Sequence, residues 1–366
     1  MVKSVRREGS EDSHLKAAVV GCGKIGVASS TRLAGRVHAS MLPVSHAESM
    51  IATGMLDVVA FCDIELSKAR EASTVYCTGV PFSDVEAMLR QHVPEVVSVA
   101  TRAQQRSGIV QTLAAHGVPG IYAEKPFSRS LAECYAATRA VEAAGSKLVL
   151  GTPRRYTRLY RRAREIVASG DLGRLLRVCI ELDRRSLLLW TVPHCVDIVV
   201  FFTGGGSVGY VQAACDIPRD AVLGDVIDCD PVVQSATIQF DNGVIGTLQA
   251  ADRFGVVLVC ERGEVQIFEA RPLLRVIHTY ASLPHERDVQ EEPINDEISG
   301  TVRAFVELAN SVRHDQPSPI SREEVVLNQA LLVGIAVSSI RGGQRTGIDQ
   351  LPPELSITGK LGSLYA

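Results

Sequence analysis

The stretch Leu15-Lys16-Ala17-Ala18-Val19-Val20-Gly21-Cys22-Gly23-Lys24-Ile25-Gly26 decides the fold. Ala17 to Val20 is an apolar run without alternation, which suits a strand buried on both faces of a parallel sheet. It runs straight into Gly-x-Gly-x-x-Gly, the turn with which a strand–helix unit receives a pyrophosphate. Gly21 allows the tight turn, Gly23 has no side chain to hold phosphates away, and Gly26 lets the helix lie close to the strand. The amides of this turn, with Cys22, Lys24 and Ile25 between the glycines, point at the anion from a helix N-terminus. A tight turn with no ligand is the alternative reading of the motif alone, so the surrounding segments must decide.

Residues 27–44, with Ser29, Ser30, Thr31, Gly35 and Pro43, read as an insertion rather than a helix. Ser45-His46-Ala47-Glu48 has the spacing of a capping box and predicts a helix ending near Gly54. Val58 to Cys62 is a second buried strand, and it stops on Asp63. A carboxylate at that point binds the adenine-ribose hydroxyls, ordinarily ~20 residues past the glycines. Asp63 lies further on, and the register recovers once the insertion is set aside. Ile64 follows it, with no arginine or serine alongside for a 2′-phosphate, so NAD is expected and NADP less so. A plain strand-end turn residue is the alternative for Asp63.

Strand and helix then alternate. Glu95 to Ala100 is an apolar strand ending in Thr101-Arg102, and Ser107 to His116 is a short amphipathic helix. Gly120 to Ala123 is a strand ending in Glu124-Lys125-Pro126. Ser130-Leu131-Ala132-Glu133 repeats the capping-box spacing, and Lys147 to Leu150 closes the series. Repeated units of this length imply an α/β fold with a doubly wound parallel sheet, on which ligands sit beyond the carboxyl ends of the strands. Gly21, Asp63, Thr101 and Lys125 all fall at those ends.

The totals bound the function. A chain of 366 residues suggests about two domains. A formal net charge of -3 gives no electrostatic reason for nucleic acid or an anionic membrane as partner. No uncharged apolar run reaches the ~18–20 residues that span a bilayer. The first 14 residues lack the apolar core of a secretory signal and read as a disordered tail. Nine cysteines form no CxxC pair, so buried thiols in a reducing cytoplasm are expected rather than disulfides. Histidines and acids show no ligand spacing, and no metal is expected.

The glycine motif, a strand ending in Glu124-Lys125-Pro126 and a later His194-Cys195-Val196-Asp197 together resemble the Gfo/Idh/MocA oxidoreductases. The similarity runs from about Leu15 to Ile348. It includes Arg154-Arg155-Tyr156, the turn Ser169 to Gly173, Phe240 to Gly246, and Ser45-His46-Ala47 at the end of the insertion. It implies a nicotinamide-dependent oxidoreductase acting on sugars, polyols and their derivatives. It also implies a cis Pro126 that sets Lys125 beside the nicotinamide, and a C-terminal α/β domain whose open sheet builds dimers or tetramers. The chain then divides into a tail (1–14), an NAD(P)-binding Rossmann domain (15–151), a substrate-binding and oligomerisation domain (152–350) and a C-terminal tail (351–366).

Beyond Gly173 the strands lengthen: Leu175 to Leu182, Val232 to Phe240, Val244 to Ala250, Val256 to Cys260 and Glu264 to Phe268. Asp241-Asn242-Gly243 and Glu261-Arg262-Gly263 supply hairpin turns, so a mixed, mostly antiparallel sheet is expected. Helices are expected at Thr157 to Ser169, Asp296 to Arg313 and Ser321 to Ile340. The arginines of the first (158, 161, 162 and 164) read as a solvated face.

Oxidation of an alcohol needs a base for the hydroxyl proton and a donor for the developing charge. Lys125 serves if burial lowers its pKa, and His194 titrates nearest neutrality. Taken alone, each reads as ordinary: a surface lysine and a structural histidine. The resemblance makes both catalytic candidates. Asp197 stands three residues beyond His194 and is placed to orient a substrate or its own helix. Many relatives carry an aspartate four residues before this histidine, where this chain has Trp190, its one tryptophan. The third polar group is therefore missing or supplied elsewhere. Trp190 suits a platform for a sugar ring, or plain packing. Arg154 and Arg155 stand where either holds a substrate hydroxyl or carboxylate, or forms a salt bridge.

The expected function is NAD-dependent oxidation of a secondary hydroxyl of a sugar, aminosugar or cyclitol to a ketone, with an aminoglycoside of secondary metabolism as one substrate suggestion. An NADPH-dependent ketosugar or imine reductase and a non-catalytic nucleotide-binding sensor are the alternatives.

Overall fold

A computed structural model describes residues 14–35, 37–280, 283–295 and 298–359. Residues 1–13 of the expected N-terminal tail lie outside them, and His14 pairs with Asp57 at 2.9 Å. Six strands build the first sheet: β1 (Leu15–Val20), β2 (Leu56–Cys62), β3 (Val80–Phe82), β4 (Val96–Val99), β5 (Gly120–Ala123) and β6 (Lys147–Leu150). All pair in parallel in the order β3-β2-β1-β4-β5-β6. The order reverses between β1 and β4, which opens a crevice beside the glycine turn. Valines and alanines of β1 and β4 are wholly buried because helices cover both faces. Helix Leu66–Tyr76, strand β3 and helix Val85–His92 had no counterpart in the sequence reading. They are short and weakly apolar, and the last is started by Asp84, whose carboxylate accepts the Ala87 amide at 2.7 Å.

Neither capping box is complete. Ser130 accepts the Glu133 amide at 3.2 Å, while the Glu133 carboxylate takes the amide and guanidinium of Arg129. Ser45 does not cap its helix, His46–Ala52; its hydroxyl donates to the Glu48 carboxylate at 3.0 Å. The reason is competition from Ser30, whose hydroxyl oxygen accepts the Val44 and Ser45 amides, each at 2.9 Å. Those bonds close the neck of the insertion. The insertion itself is not all irregular, since a π-turn (Lys24–Ala28) leads into helix Ser29–Leu33.

The second sheet contains β7 (Leu175–Asp183), β8 (Val208–Asp216), β11 (Val232–Phe240), β12 (Ile245–Ala251), β13 (Gly255–Cys260), β14 (Gly263–Phe268), β15 (Leu273–Tyr280) and β16 (Leu283–Pro293). Their order is β16-β15-β14-β13-β7-β12-β11-β8, antiparallel except between β7 and β12. One face is the core: Ile238, Val178 and Leu258 stand in register and are fully buried. Helix Val192–Thr203 packs there, with Val199 lying where a Cβ on Gly246 would meet it at 2.6 Å. Each such aliphatic side chain contributes about 1.5–3 kcal/mol on burial.

Two expectations need correction. Residues 351–359 are not a tail: Leu351, Leu355 and Ile357 are buried. Strand β17 (Ser356–Ile357) pairs with β10 (Val226–Ile227), itself paired with β9 (Val222–Leu223). The arginines of helix Arg158–Ala168 are not simply solvated. Arg161 pairs with Glu307, Arg162 with Glu292, and Arg164 lies over the Phe201 ring, so they bind the helix to its surroundings.

The last two long helices join both sheets. Phe305 of helix Gly300–Arg313 stacks on Tyr122 of β5, ring centres 4.5 Å apart. Helix Arg322–Ile340 is apolar and long enough to cross a membrane, yet it is mostly buried, packed on β8 and on helix Leu131–Ala144. Its capping box, Ser321 with Glu324, is complete.

Candidate active site

Three glycines shape the cradle in two ways. A Cβ on Gly21 would lie 2.8 Å from the Thr101 amide nitrogen, and one on Gly26 would lie 2.0 Å from the Gly21 carbonyl. These two are required by internal packing. A Cβ on Gly23 would meet nothing within 4 Å, so that position faces open space at the crevice. This is the geometry that admits a pyrophosphate. Asp63 lies at the end of β2, its Oδ2 accepting the Cys22 amide at 2.8 Å and its Oδ1 the Glu65 amide at 2.9 Å. Thr101 lies just beyond β4 with its hydroxyl buried and, among the described residues, without a hydrogen-bond partner. The residues therefore fit a dinucleotide: the turn 21–26 for phosphates, Asp63 for ribose, Thr101 on the inner wall. Arg102 is exposed at the start of the helix Ala103–Ala115.

Arg106, absent from the sequence reading, holds this wall. Its buried guanidinium donates to the carbonyls of Thr101 and Pro126, tying two strand-end loops together. Burial lowers its pKa to about 10, with Glu124 acting in the opposite direction. Glu124 itself does not face the crevice as a cofactor contact. Its carboxylate accepts from the Lys125 amide at 3.2 Å and meets His46 Nε2 at 3.1 Å, while His46 Nδ1 bonds Ser98. Burial pushes Glu124 up, but His46 and the positive charges of Lys125 and Arg106 outweigh it and hold the carboxyl below its usual range. His46 is fully buried and packs edge-on to Tyr122. Its place in Ser45-His46-Ala47 was the available signal for this role.

Lys125 follows β5, joined to Pro126 by a cis peptide bond. Its Nζ donates to the Trp190 carbonyl at 2.7 Å and lies 4.2 Å from the centre of the Trp190 ring. Burial lowers its pKa to about 8; Glu124 and Asp230 oppose the shift, while Arg106 and Arg154 add to it. His194 stands in the first turn of helix Val192–Thr203, and its buried Nδ1 has no partner among the described residues. Burial, then the charges of Lys125 and Arg154, hold it well below the usual histidine value, so it is neutral. The site thus combines an amine that titrates near physiological pH, a neutral imidazole and a half-exposed aromatic ring.

Of the other residues expected to face substrate, two turn away. Arg155 and Asp197 form a buried ion pair (Nη2 to Oδ1, 2.8 Å), extended by Glu324 at 3.0 Å and Asn328 at 3.4 Å. Asp197 is fully buried and orients its own helix rather than a ligand. Arg154 remains beside Lys125 and His194, but Glu269 takes its guanidinium at 2.5 and 3.0 Å, and Tyr160 donates to the same carboxylate at 2.7 Å. Burial alone would lower Arg154, yet Glu269 overrides it and raises the pKa. The guanidinium also stacks 4.5 Å from the centre of Phe254. A cavity of about 680 Å³ opens there, between Val37, His38 and Met41 of the insertion and Phe254 and Glu269 of the second sheet. The insertion therefore forms one wall of this cavity.

Comparison with known proteins bears on this geometry. Residues 15–152 match the model of the Gfo/Idh/MocA oxidoreductase family, NAD-binding Rossmann fold. Inositol 2-dehydrogenase of Salmonella paratyphi B is 28% identical over 166 residues, 45% of this chain and 44% of that protein. The chain thus spans less than half the length of this relative. Two solved structures share the fold over nearly the whole chain. An oxidoreductase from Agrobacterium radiobacter, in complex with NAD+, L-tartaric acid and magnesium, has a TM-score of 0.71 at 17% identity, covering 92% of this chain and 99% of that one. GenD2 from gentamicin A biosynthesis, in complex with NAD, has a TM-score of 0.69 at 18% identity, covering 94% and 99%.

Proposed function

Since residues 15–152 match the model of the Gfo/Idh/MocA oxidoreductase family with its NAD-binding Rossmann fold, we propose that the chain is an NAD-dependent dehydrogenase of a sugar, aminosugar or cyclitol, oxidising a secondary hydroxyl to a ketone. The observation that carries this reading is Lys125, an amine brought to a pKa of about 8 next to the neutral His194. Held by the turn 21–26 and Asp63, NAD would supply the acceptor for the hydride of the carbinol carbon. Lys125, in its neutral form, takes the hydroxyl proton and becomes an ammonium. His194, a neutral imidazole, offers a ring N–H to the same oxygen and holds it in place. Trp190 presents its exposed edge to a sugar ring. Arg154, neutralised by Glu269, gives a hydroxyl-rich substrate a polar wall without demanding a charge.

The cleft beside Phe254 leaves room beyond one ring, which is why aminoglycoside-type substrates belong in the assay panel. The outer face of the second sheet supports a homodimer or homotetramer. On it Thr237, Thr247, Cys179 and Val257 form one continuous half-buried row.

The test is the growth of reduced-nicotinamide absorbance with NAD and a panel of sugars, aminosugars and cyclitols, followed by the reverse assay with ketones. Lys125→Met lowers turnover by about 10²–10⁴-fold while NADH binding, read by fluorescence, persists. A fully active variant sinks the proposal. In the oxidative direction kcat/KM rises with pH through a limb near 8, as Lys125 loses its proton. No second limb arises from His194, which is neutral throughout that range.

A further inference from the structure

We propose that Asp230 is the positioning residue that takes the place of the carboxylate absent at position 190, an inference that rests on Lys125 being the base. Asp230 stands between β10 and β11, some distance along the chain from the helix that carries His194. Its Oδ1 accepts the Leu189 amide at 2.7 Å. The carbonyl of the next residue, Trp190, accepts Lys125 Nζ at 2.7 Å. Carboxylate, turn and amine are therefore linked by two hydrogen bonds. The segment is clamped on either side as well: the Leu188 amide donates to the Pro231 carbonyl at 2.9 Å, and Leu187 bridges to Val232. This antiparallel clamp sets where the Trp190 carbonyl and ring meet the lysine.

The charged groups around Lys125 come from several elements: Glu124 beside it, Arg106 on helix Ala103–Ala115, Arg154 in the turn Pro153–Tyr156, and Asp230. His194 faces it from helix Val192–Thr203 without charge. Of the two carboxylates, Glu124 is already engaged by His46. Asp230 is the one supplied by the substrate-side half, and its charge favours the ammonium that forms when Lys125 takes the hydroxyl proton.

The experiment titrates Lys125 by ¹³C NMR of the reductively methylated full chain, with the signal assigned by its loss in Lys125→Met. Asp230→Asn retains an oxygen for the Leu189 amide and removes only the charge. Its Lys125 midpoint falls by about 0.5 pH unit or more, whereas Asp228→Asn, an exposed neighbour, leaves the midpoint in place. An unmoved midpoint in Asp230→Asn overturns the inference. This readout needs no turnover. A shifted midpoint in a protein that oxidises no polyol overturns the dehydrogenase reading and keeps the Asp230–Lys125 coupling. In the active enzyme the pH limb of kcat/KM moves with the midpoint in Asp230→Asn. Asp230→Ala, which frees the turn, lowers kcat by roughly 10²-fold with a smaller change in KM. An Asp230→Ala enzyme as fast as the parent removes the positioning role.

Discussion

The two walls of the cleft are built on opposite plans. On the nucleotide side the determinants are atoms that are absent: Gly21 and Gly26 leave no room for a Cβ, and Gly23 leaves room for a ligand. Across from it the determinants are side chains that hold one another, Arg155 with Asp197, Arg154 with Glu269, Lys125 with Trp190. The phosphate turn of the first wall is local and follows from six consecutive residues. The second wall is assembled from segments far apart in sequence, and its arginines are paired before any substrate arrives. Binding geometry resides in the backbone on one side and in a network of ion pairs on the other.

Variants can break that contrast. The largest effect is expected on the networked side. Asp197→Ala leaves the buried Arg155 short of its main partner and costs about 3–5 kcal/mol of stability in denaturant unfolding. NAD affinity of the folded fraction should hold; an undiminished stability would mean the network is not what supports that wall. On the backbone side the glycines should separate. Gly26→Ala forces a Cβ against the Gly21 carbonyl and destabilises by about 1–3 kcal/mol. Gly23→Ala keeps the parent melting temperature but weakens NAD about tenfold, ~1.4 kcal/mol, by calorimetric titration. Equal melting losses in the two would erase the distinction between a packing glycine and a ligand-facing one. The smallest and sharpest effect is at Asp63→Ser, where the NAD-over-NADP affinity ratio falls about tenfold as the negative charge facing a 2′-phosphate is removed. An unchanged ratio takes Asp63 out of the ribose site.

What could be read in the sequence follows the same division. The strands of the first sheet were legible because burial on both faces leaves unbroken apolar runs, and Asp63, Thr101 and Lys125 were singled out because ligands collect at strand ends. The short units between Asp63 and Glu95 carry too little apolar surface to stand out. For Arg155 and Asp197 the salt-bridge and helix-orienting alternatives are the ones realised, and the Glu124 carboxylate is engaged by His46; sequence could not choose among these because it does not show that a charge has a buried partner. Arg106 and Asp230 were missed outright. Their roles are hydrogen bonds to backbone atoms of other segments, and no spacing rule points at a carbonyl or amide brought close only by folding.

The helix Gly300–Arg313 has a consequence for how the chain can be divided. Phe305, Leu308 and Ala309 complete the apolar layer under β1, β2 and β5, and Ile320 and Val325 fill the layer on the other face of the same sheet. The nucleotide-binding half is therefore finished by residues that lie after the entire second sheet. A fragment ending near Gly151 would leave those layers open to water. The halves are not modules to be exchanged between relatives: a chimaera joined at that boundary alone would inherit a mismatched lid on its cofactor domain, whereas one that also transplants residues 300–340 would carry its own.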